Sequence, residues 1–450
     1  MGSAARSTGQ DTDYRPRARA AVWAVRPIFQ ATEAHRDAHW LTTNARAGTL
    51  AVVRAPVAVV ALLLALATPA ASSASLESAL ERALHVPHVS LGATGAIVLD
   101  LETGETVYSH NESLSLLPAS NEKLAVTYAA LTALGPAFRI ETDVLGTGAQ
   151  AGSSWQGDLV LKGYGDPTLS SSDLAELAKQ VRAAGIRSVT GRVLGDESWF
   201  DSRRTVIGWK ASFYIYESPP LSALIVDRGR VGRYTSRDPS LAAAQLFRAA
   251  LVHAGVKVAG VAAHGVAGDG SLPLAAVDSP PLNAIVHWMA RESDNFVAEM
   301  LVKQLGAVQG SVGSTAAGVG VITGLLAQAA VPVEGLRLVD GSGLSLLDRM
   351  TPKALVYLLA AMWNDDEVRL ELLASLPVAG RTGTLHDRMR RTAAAGVVRA
   401  KTGTTSNASA LSGFAGGRYV FSILQNGWPV AWTWARVAQD RFATVLAASQ

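Results

Sequence analysis

The chain contains no cysteine among its 450 residues, which excludes disulfide bonds, thiolate metal sites and a lipidated N-terminal cysteine. Its nine histidines, His35 and His386 among them, form no cluster with ligand spacing, so we predict neither a metal site nor another cofactor. A net charge of only +3 gives no reason to expect a nucleic-acid partner.

The N-terminal region lacks an apolar run long enough for a membrane span. Its apolar run, Val57 to Ala67, is well short of the roughly 20 residues that cross a bilayer. Two arginines precede this run and the small-residue stretch 68–74 follows it, which is the layout of a secretory signal peptide. We therefore expect cleavage after Ala70 or Ala74, export to the periplasm or cell-wall space, and no stable transmembrane anchor. An uncleaved anchor is the alternative.

Residues 1 to 45 do not fit a signal peptide, because they form a long polar leader with several acidic residues. One hypothesis is that translation begins near Val52 or Val53. Residues 1–74 as a whole are interpreted as leader and signal peptide.

With 49% hydrophobic and 17% charged residues, the chain is typical of a globular protein with two domains or one large one. Alternating runs at Thr94–Leu99 and Thr106–Tyr108 predict a β-hairpin. Periodic apolar runs predict helices over Leu174–Ala184, Pro239–Ala254 and, as one continuous helix, Leu282–Leu305.

Ser120 lies three residues before Lys123 at the start of an apolar-periodic run. A helix that begins near Ser120 would bring both side chains to one face, where the lysine could take the proton of the hydroxyl. The run predicts a helix that is buried on one side and ends at Gly135-Pro136. The alternative is an N-cap serine followed by a solvated lysine.

Two further motifs follow in order, Ser293-Asp294-Asn295 and Lys401-Thr402-Gly403-Thr404. The trio Ser-x-x-Lys, Ser-x-Asn and Lys-Thr-Gly is typical of penicillin-binding proteins and serine β-lactamases. Taken singly, each motif has a structural explanation: a helix cap, a surface amide or an ordinary strand end. Their joint occurrence favours the catalytic interpretation.

At these residues the chain resembles the S13 peptidases, which are D-alanyl-D-alanine carboxypeptidases/endopeptidases also called class C or low-molecular-mass penicillin-binding proteins. The resemblance extends over most of residues 76–430. The matching pieces beyond the trio are Leu161 to Leu169, Pro220 to Leu224, Asp340 to Ser345 and Leu376 to Gly380.

The resemblance implies an α/β (α+β) fold of the penicillin-binding-protein and serine β-lactamase type, with a five-stranded antiparallel sheet flanked by helices. It implies a transpeptidase-like catalytic domain split into residues 75–139 and 278–450. Residues 140–277 would form an inserted mixed α/β domain. A third domain, which the family often nests in this insert, looks reduced or absent, because Arg230 is followed closely by the predicted helix at Pro239.

The resemblance also implies the catalytic roles. Ser120 would be the nucleophile and Lys123 its base, with burial and the nearby Lys401 lowering the pKa of Lys123. Ser293 would relay a proton to the leaving amine, and Asn295 would hold the substrate's peptide carbonyl and orient Lys123.

The edge strand that carries Lys401, Thr402, Gly403 and Thr404 would bind the substrate. Lys401, Thr402 and Thr404 would receive the terminal carboxylate of the stem peptide. The backbone N–H groups of Ser120 and Thr404 would form the oxyanion hole.

Two departures from the family leave the third residue of the stem peptide open. Leu346 stands where the family commonly has an arginine that holds a diaminopimelate carboxylate. Lys210 follows Trp209 where an acidic residue is common.

The function that the resemblance implies is that of a serine-type D-Ala-D-Ala carboxypeptidase, with DD-endopeptidase activity as a second expectation. The expected partners are peptidoglycan stem peptides and, as covalent inhibitors, β-lactam antibiotics. A serine β-lactamase is one alternative, although the chain lacks the Glu-x-x-Leu-Asn segment of the class A enzymes. A non-catalytic peptidoglycan-binding protein is the other.

Overall fold

The computed structural model describes residues 68–450, with side chains from Ser75 onward. The polar leader and the apolar run of the expected signal peptide lie outside the described residues. Within residues 68–450, no helix is both long enough and apolar enough to cross a bilayer.

Ten helices are described in this part of the chain. They are α1 (Thr68–Leu84), α2 (Lys123–Leu134), α3 (Ser171–Ala183), α4 (Pro239–His253), α5 (Leu282–Glu292), α6 (Asn295–Gln309), α7 (Thr315–Gln328), α8 (Pro352–Asn364), α9 (Asp366–Ser375) and α10 (Trp432–Ala448).

Fourteen strands accompany them over the same residues. They are β1 (Thr94–Asp100), β2 (Thr106–His110), β3 (Glu141–Ala151), β4 (Ser154–Gly163), β5 (Ser188–Val189), β6 (Val193–Asp196), β7 (Arg230–Val231), β8 (Tyr234–Thr235), β9 (Lys257–Val258), β10 (Ala262–His264), β11 (Leu272–Asp278), β12 (Val398–Thr404), β13 (Ala408–Ala415) and β14 (Tyr419–Asn426).

The first sheet has five antiparallel strands in the order β12-β13-β14-β1-β2, which confirms the expected sheet and the predicted β1–β2 hairpin. Helices α1 and α10 cover one face, where Leu80, Val98 and Phe442 pack together. Helix α8 packs on the other face, and α2 belongs to the same apolar core. Because both faces are covered, β1 and β13 are buried along their whole length. Strand β12 lies at the edge of the sheet, as expected for the Lys-Thr-Gly motif.

The helix after Ser120 differs from its prediction in how it is buried. A 3₁₀ turn, Ala119–Glu122, precedes α2, and every residue from Lys123 to Leu131 is buried. The prediction of a helix buried on one side is therefore wrong, because α2 packs against α5, α6, α7 and α8 as well as the 3₁₀ turn. The helix ends where predicted, at Gly135, whose φ of 85° is accessible to glycine.

The predicted continuous helix over Leu282–Leu305 is also wrong. Helix α5 ends at Glu292, and Ser293 adopts a left-handed conformation with φ 60° and ψ 38°. Asp294 then caps α6 by accepting a hydrogen bond from the N–H of Val297. The break arises because an aspartate side chain competes for the backbone donors that a continuous helix would use. Because of this break, Ser293 does not continue helix α5.

The second sheet lies between the first two motifs in sequence. Its main path is β10-β6-β4-β3-β11, and the short strands β5 and β9 extend it beside β4. Helices α3 and α4, found close to their predicted bounds, pack on this sheet around Trp155, Leu177 and Phe247. Between Arg230 and α4 the chain forms only the two-residue strands β7 and β8.

Candidate active site

Lys123 is fully buried and its amine contacts three oxygens. Its Nζ lies 2.9 Å from Ser120 Oγ, 2.9 Å from Asn295 Oδ1 and 2.6 Å from the carbonyl oxygen of Ser342. The structure therefore brings the serine and lysine of the first motif into direct contact. It joins them to the asparagine of the second motif, 172 residues further along the chain.

A second lysine–serine contact faces the first. Lys401 is fully buried, and its Nζ lies 2.7 Å from Ser293 Oγ and 3.0 Å from the carbonyl oxygen of Thr402. The left-handed turn at Ser293 is what aims this hydroxyl at the edge strand. All five residues expected to be catalytic thus meet at one place, between α2, the α5–α6 break and β12.

Both buried lysines have lowered pKa values. Burial lowers the pKa of Lys123 to about 8, although nearby carboxylates such as Asp340 and Glu299 oppose the shift. Burial and then the charge of Lys123 lower the pKa of Lys401 well below its usual value. The two buried amines therefore repel each other, and because this repulsion is reciprocal it disfavours the state in which both are protonated.

The turn that carries Ser120 packs tightly against the edge strand. Ala119 has a φ of 46°, a conformation that is uncommon for a residue with a side chain. Asn121 Nδ2 donates to the carbonyl oxygen of Lys401 at 3.2 Å. A Cβ on Gly403 would lie 2.9 Å from the carbonyl oxygen of Pro118, so glycine permits this close approach. The glycine of Lys-Thr-Gly therefore keeps β12 next to the nucleophile.

The remaining residues of the substrate-binding prediction lie on β12. Thr402 is nearly buried, and its Oγ1 donates to Thr384 Oγ1 at 2.7 Å. Thr404 is exposed at the end of the strand. Side chains two apart on a strand share a face, so both threonines belong to one face of β12.

A loop from the second sheet forms another wall of the site. Asn295 Nδ2 donates to the carbonyl oxygen of Glu217 at 3.2 Å, and Lys210 Nζ contacts Ser406 Oγ at 2.6 Å. The backbone N–H of Leu346 donates to the carbonyl oxygen of Gly208 at 3.2 Å. The two positions at which the chain departs from the family, 210 and 346, therefore belong to the same wall.

Behind Lys123 lies a group of buried carboxyls that the sequence analysis did not identify. Glu122, Asp340 and Asp348 place carboxylate oxygens within 4.8 Å of one another, and Glu299 is also fully buried nearby. Both oxygens of Glu122 and one oxygen each of Glu299 and Asp348 have no hydrogen-bond partner. Such a group needs protons or a cation to balance its charge.

Protons explain this group better than a metal ion does. Asp340 accepts from the N–H groups of Gly343 and Ser345, the Trp209 indole and the Ser342 hydroxyl, which occupies the lone pairs that a metal would need. Burial, with repulsion from Asp340, raises the pKa of Glu299 to about 8 and that of Asp348 to about 9. Burial, with repulsion from Asp348, raises the pKa of Glu122 well above its usual value.

One sequence signal could have identified these buried carboxyls: acidic residues that lie within otherwise apolar helical segments. Glu299 lies in α6 among residues that are all buried, and Glu122 directly precedes Lys123. Asp340 itself supports the site, since its contacts hold the 340–345 turn whose Ser342 carbonyl contacts Lys123.

The chain matches a known protein family and several of its members. The model of the D-Ala-D-Ala carboxypeptidase 3 (S13) family matches residues 76–237 and 231–448. A D-alanyl-D-alanine carboxypeptidase from an Actinomadura species is 33% identical, over 80% of this chain and 84% of the relative. The carboxypeptidase DacB of Mycolicibacterium smegmatis is 32% identical, over 85% of both chains.

A solved structure has the same fold. The crystal structure of penicillin binding protein 4 (DacB) from Haemophilus influenzae matches with a TM-score of 0.72 at 21% identity, over 82% of this chain and 97% of the other. A second structure of that protein, complexed with a β-lactam, matches with a TM-score of 0.69. These matches confirm the expected fold of the penicillin-binding-protein type.

Proposed function

This chain belongs to the D-Ala-D-Ala carboxypeptidase 3 (S13) family, and we propose that it hydrolyses the terminal D-Ala-D-Ala bond of peptidoglycan stem peptides through an acyl-enzyme on Ser120. The observation that carries this proposal is the pair of buried lysine–serine contacts, Lys123 with Ser120 and Lys401 with Ser293, at one site. Relatives that act as carboxypeptidases at 32–33% identity supply the substrate class.

In the proposed acylation, Ser120 Oγ attacks the carbonyl carbon of the penultimate D-alanine. The neutral amine of Lys123 accepts the hydroxyl proton, and the carbonyl oxygen becomes an oxyanion held by the backbone N–H groups of Ser120 and Thr404. Because burial lowers the pKa of Lys123 to about 8, roughly a tenth of this amine is neutral at pH 7 and able to accept a proton.

The second lysine–serine contact serves the leaving group. Ser293, whose hydroxyl contacts Lys401, gives its proton to the departing amine and takes up the proton that Lys123 accepted from Ser120. The C–N bond breaks, D-alanine leaves as a neutral amine, and Lys123 is neutral again for the hydrolysis step. Asn295 holds Lys123 in place through its amide oxygen. Lys401, Thr402, Gly403 and Thr404 bind the C-terminal end of the substrate. Water then hydrolyses the ester on Ser120.

The domain organisation is part of the proposal. We assign the first sheet and its helices to a catalytic domain split into residues 75–139 and 278–450. Residues 140–277, with the second sheet, form the inserted domain, and its nested third domain is reduced to the β7–β8 ribbon. The two family matches meet at residues 231–237, which supports placing the reduced domain there. We further propose that the protein is exported, because its substrate lies outside the cytoplasmic membrane.

Release of D-alanine from a diacyl-Lys-D-Ala-D-Ala peptide tests the proposal. We expect Ser120→Ala to lose about 10³-fold or more in rate, since it removes the nucleophile. Ser115→Ala is the matched control, because Ser115 contacts only the carbonyl oxygen of Gly335. Equal activity of Ser120→Ala and the wild type would contradict the proposal.

The same chemistry would serve a DD-endopeptidase, which a cross-linked muropeptide dimer as substrate would detect. Rapid turnover of penicillin with no release of D-alanine would favour the β-lactamase alternative.

A further inference from the structure

Arg436 lies beside the exposed end of the edge strand. It belongs to the first turns of α10, and its Nη2 is 3.5 Å from Thr404 Oγ1. Its guanidinium stacks over the indole of Trp432, with its carbon 4.7 Å from the ring centroid. This stacking fixes the plane of the guanidinium next to the threonine.

No carboxylate forms an ion pair with this arginine among the residues that the structure describes, although the charge of Asp440 acts on it from nearby. The acidic residue one turn along α10, Asp440, is engaged by Arg388 through Nε at 2.9 Å and Nη2 at 2.6 Å. Arg436 is half-buried, and burial together with the charge of Arg388 lowers its pKa. An arginine that is partly withdrawn from water and lacks a partner is well suited to bind an anion.

The surroundings of Arg436 favour a carboxylate on the substrate side of β12. Thr402 and Thr404 share this face of the strand. The Thr402 hydroxyl donates its proton to Thr384, whereas the Thr404 hydroxyl accepts from Arg436 and keeps its own proton for a substrate oxygen. Lys401 is less available, because its amine is already engaged by Ser293 and by the carbonyl oxygen of Thr402. Lys210 contacts Ser406, two residues beyond Thr404, so among the described cations near β12 Arg436 is the one whose donors reach Thr404 itself.

We propose that Arg436 binds the free C-terminal carboxylate of the substrate and makes the enzyme selective for a terminal acid over an ester or amide. The inference rests on the proposed function and adds a specificity residue to it. A planar guanidinium can place two N–H donors on one carboxylate, and it loses this interaction when the carboxylate is esterified.

The test compares acylation by benzylpenicillin with acylation by its methyl ester, which keeps the reactive β-lactam but lacks the charge. We expect Arg436→Gln to lower the second-order rate constant for the acid by about tenfold to a hundredfold, and to change that for the ester by less than about twofold. Arg441→Gln is the matched control, because Arg441 is exposed on the same helix and its loss removes the same charge. This control is expected to change neither rate.

Arg436→Lys keeps the charge but not the planar pair of donors, so we expect an intermediate loss for the acid. If Arg436→Gln does not fold, the comparison of acid and ester acylation rates for Arg436→Lys tests the inference instead. Equal losses for acid and ester, or no loss for either, would overturn the inference while leaving Ser120 acylation intact. A wild-type protein that neither compound acylates would instead contradict the proposed function, and this inference with it.

Discussion

Arg228 and Asp294 form a two-point ion pair, with Nη1 2.6 Å from Oδ2 and Nη2 2.9 Å from Oδ1. Asp294 is the middle residue of the second motif, and Arg228 comes from the segment that precedes α4. Burial acts to raise the pKa of Asp294, but the hydrogen bond and charge of Arg228 outweigh it and lower the pKa. The pair fixes the break between α5 and α6, and with it the positions of Ser293 and Asn295 on either side.

Arg228→Gln is therefore expected to impair catalysis through positioning. Loosening the break should lower the rate of acylation by penicillin by about threefold to thirtyfold, or roughly 0.6–2 kcal/mol. The control is Arg230→Gln, since Arg230 is exposed two residues away. Measured acylation rates for both variants check this. If Arg228→Gln acylates as fast as the control, the ion pair has no role in positioning.

The acylation rate should depend on the protonation of Lys123. A base must be deprotonated to accept the hydroxyl proton, so below its pKa of about 8 the rate should rise about tenfold per pH unit, and it should level off above. Rate constants for acylation of the free enzyme by benzylpenicillin between pH 5.5 and 9.5 test this prediction. A profile that is flat between pH 6 and 9 would show that another group sets the rate.

The hydroxyl of Ser293 and its left-handed backbone can be separated by two substitutions. Ser293→Ala and Ser293→Gly should both lower the turnover rate by about 10²-fold or more, because both lose the proton relay. Glycine tolerates the positive φ that alanine does not, so Ser293→Gly should be more stable than Ser293→Ala by about 1 kcal/mol.

Thermal unfolding and D-alanine release, measured on the same samples, check this pair of variants. Ser311→Ala is the matched control, because Ser311 also has a positive φ, of 66°. This substitution keeps a Cβ at the same positive φ, so both its stability and its activity should stay close to the wild-type values. If the rate of D-alanine release changes in parallel with thermal stability in all three variants, Ser293 does not act as a proton relay.

The buried carboxyls predict a pH-dependent gain in stability for Glu122→Gln. An acid whose pKa is raised in the folded protein stays protonated there, while the unfolded chain releases its proton above about pH 4.3. The free energy of unfolding of the wild type therefore falls as the pH rises towards the pKa of Glu122 in the folded protein. The variant cannot ionise, so its unfolding free energy should gain on the wild type by up to about 1.4 kcal/mol per pH unit, from about pH 5 until the pH reaches the folded pKa of Glu122.

Denaturant unfolding at several pH values measures this gain. Glu112→Gln serves as the control, because the Ser109 hydroxyl and Lys353 lower the pKa of Glu112 against the effect of burial. Its difference from the wild type should stay constant between pH 5 and 8. A constant difference for Glu122→Gln as well would mean that Glu122 is ionised in the folded protein.

The sequence predicted the parts of the site that local patterns carry. The spacing of Ser120 and Lys123 predicts that they share one face of a helical turn, and the structure brings them into contact as expected. The position of Lys401 on an edge strand followed from the family resemblance, and it is also found. The convergence of Ser293 and Asn295 with them followed from the family resemblance, because no local pattern specifies contacts across 172 residues.

The features that sequence reasoning missed depend on tertiary packing. Periodicity alone predicted one helix through Ser293, and it could not show that Arg228 would hold Asp294 in a break. Glu122 and Asp348 look like surface residues in the sequence, yet they are fully buried behind Lys123. Arg436 carries no motif, and only its distance to Thr404 links it to the site.

Mass spectrometry of the protein treated with benzylpenicillin tests the central claim most directly. The account predicts one covalent adduct per chain, located by peptide mapping on Ser120, and none on Ser120→Ala. An adduct on another residue, or equal labelling of the wild type and Ser120→Ala, would contradict it.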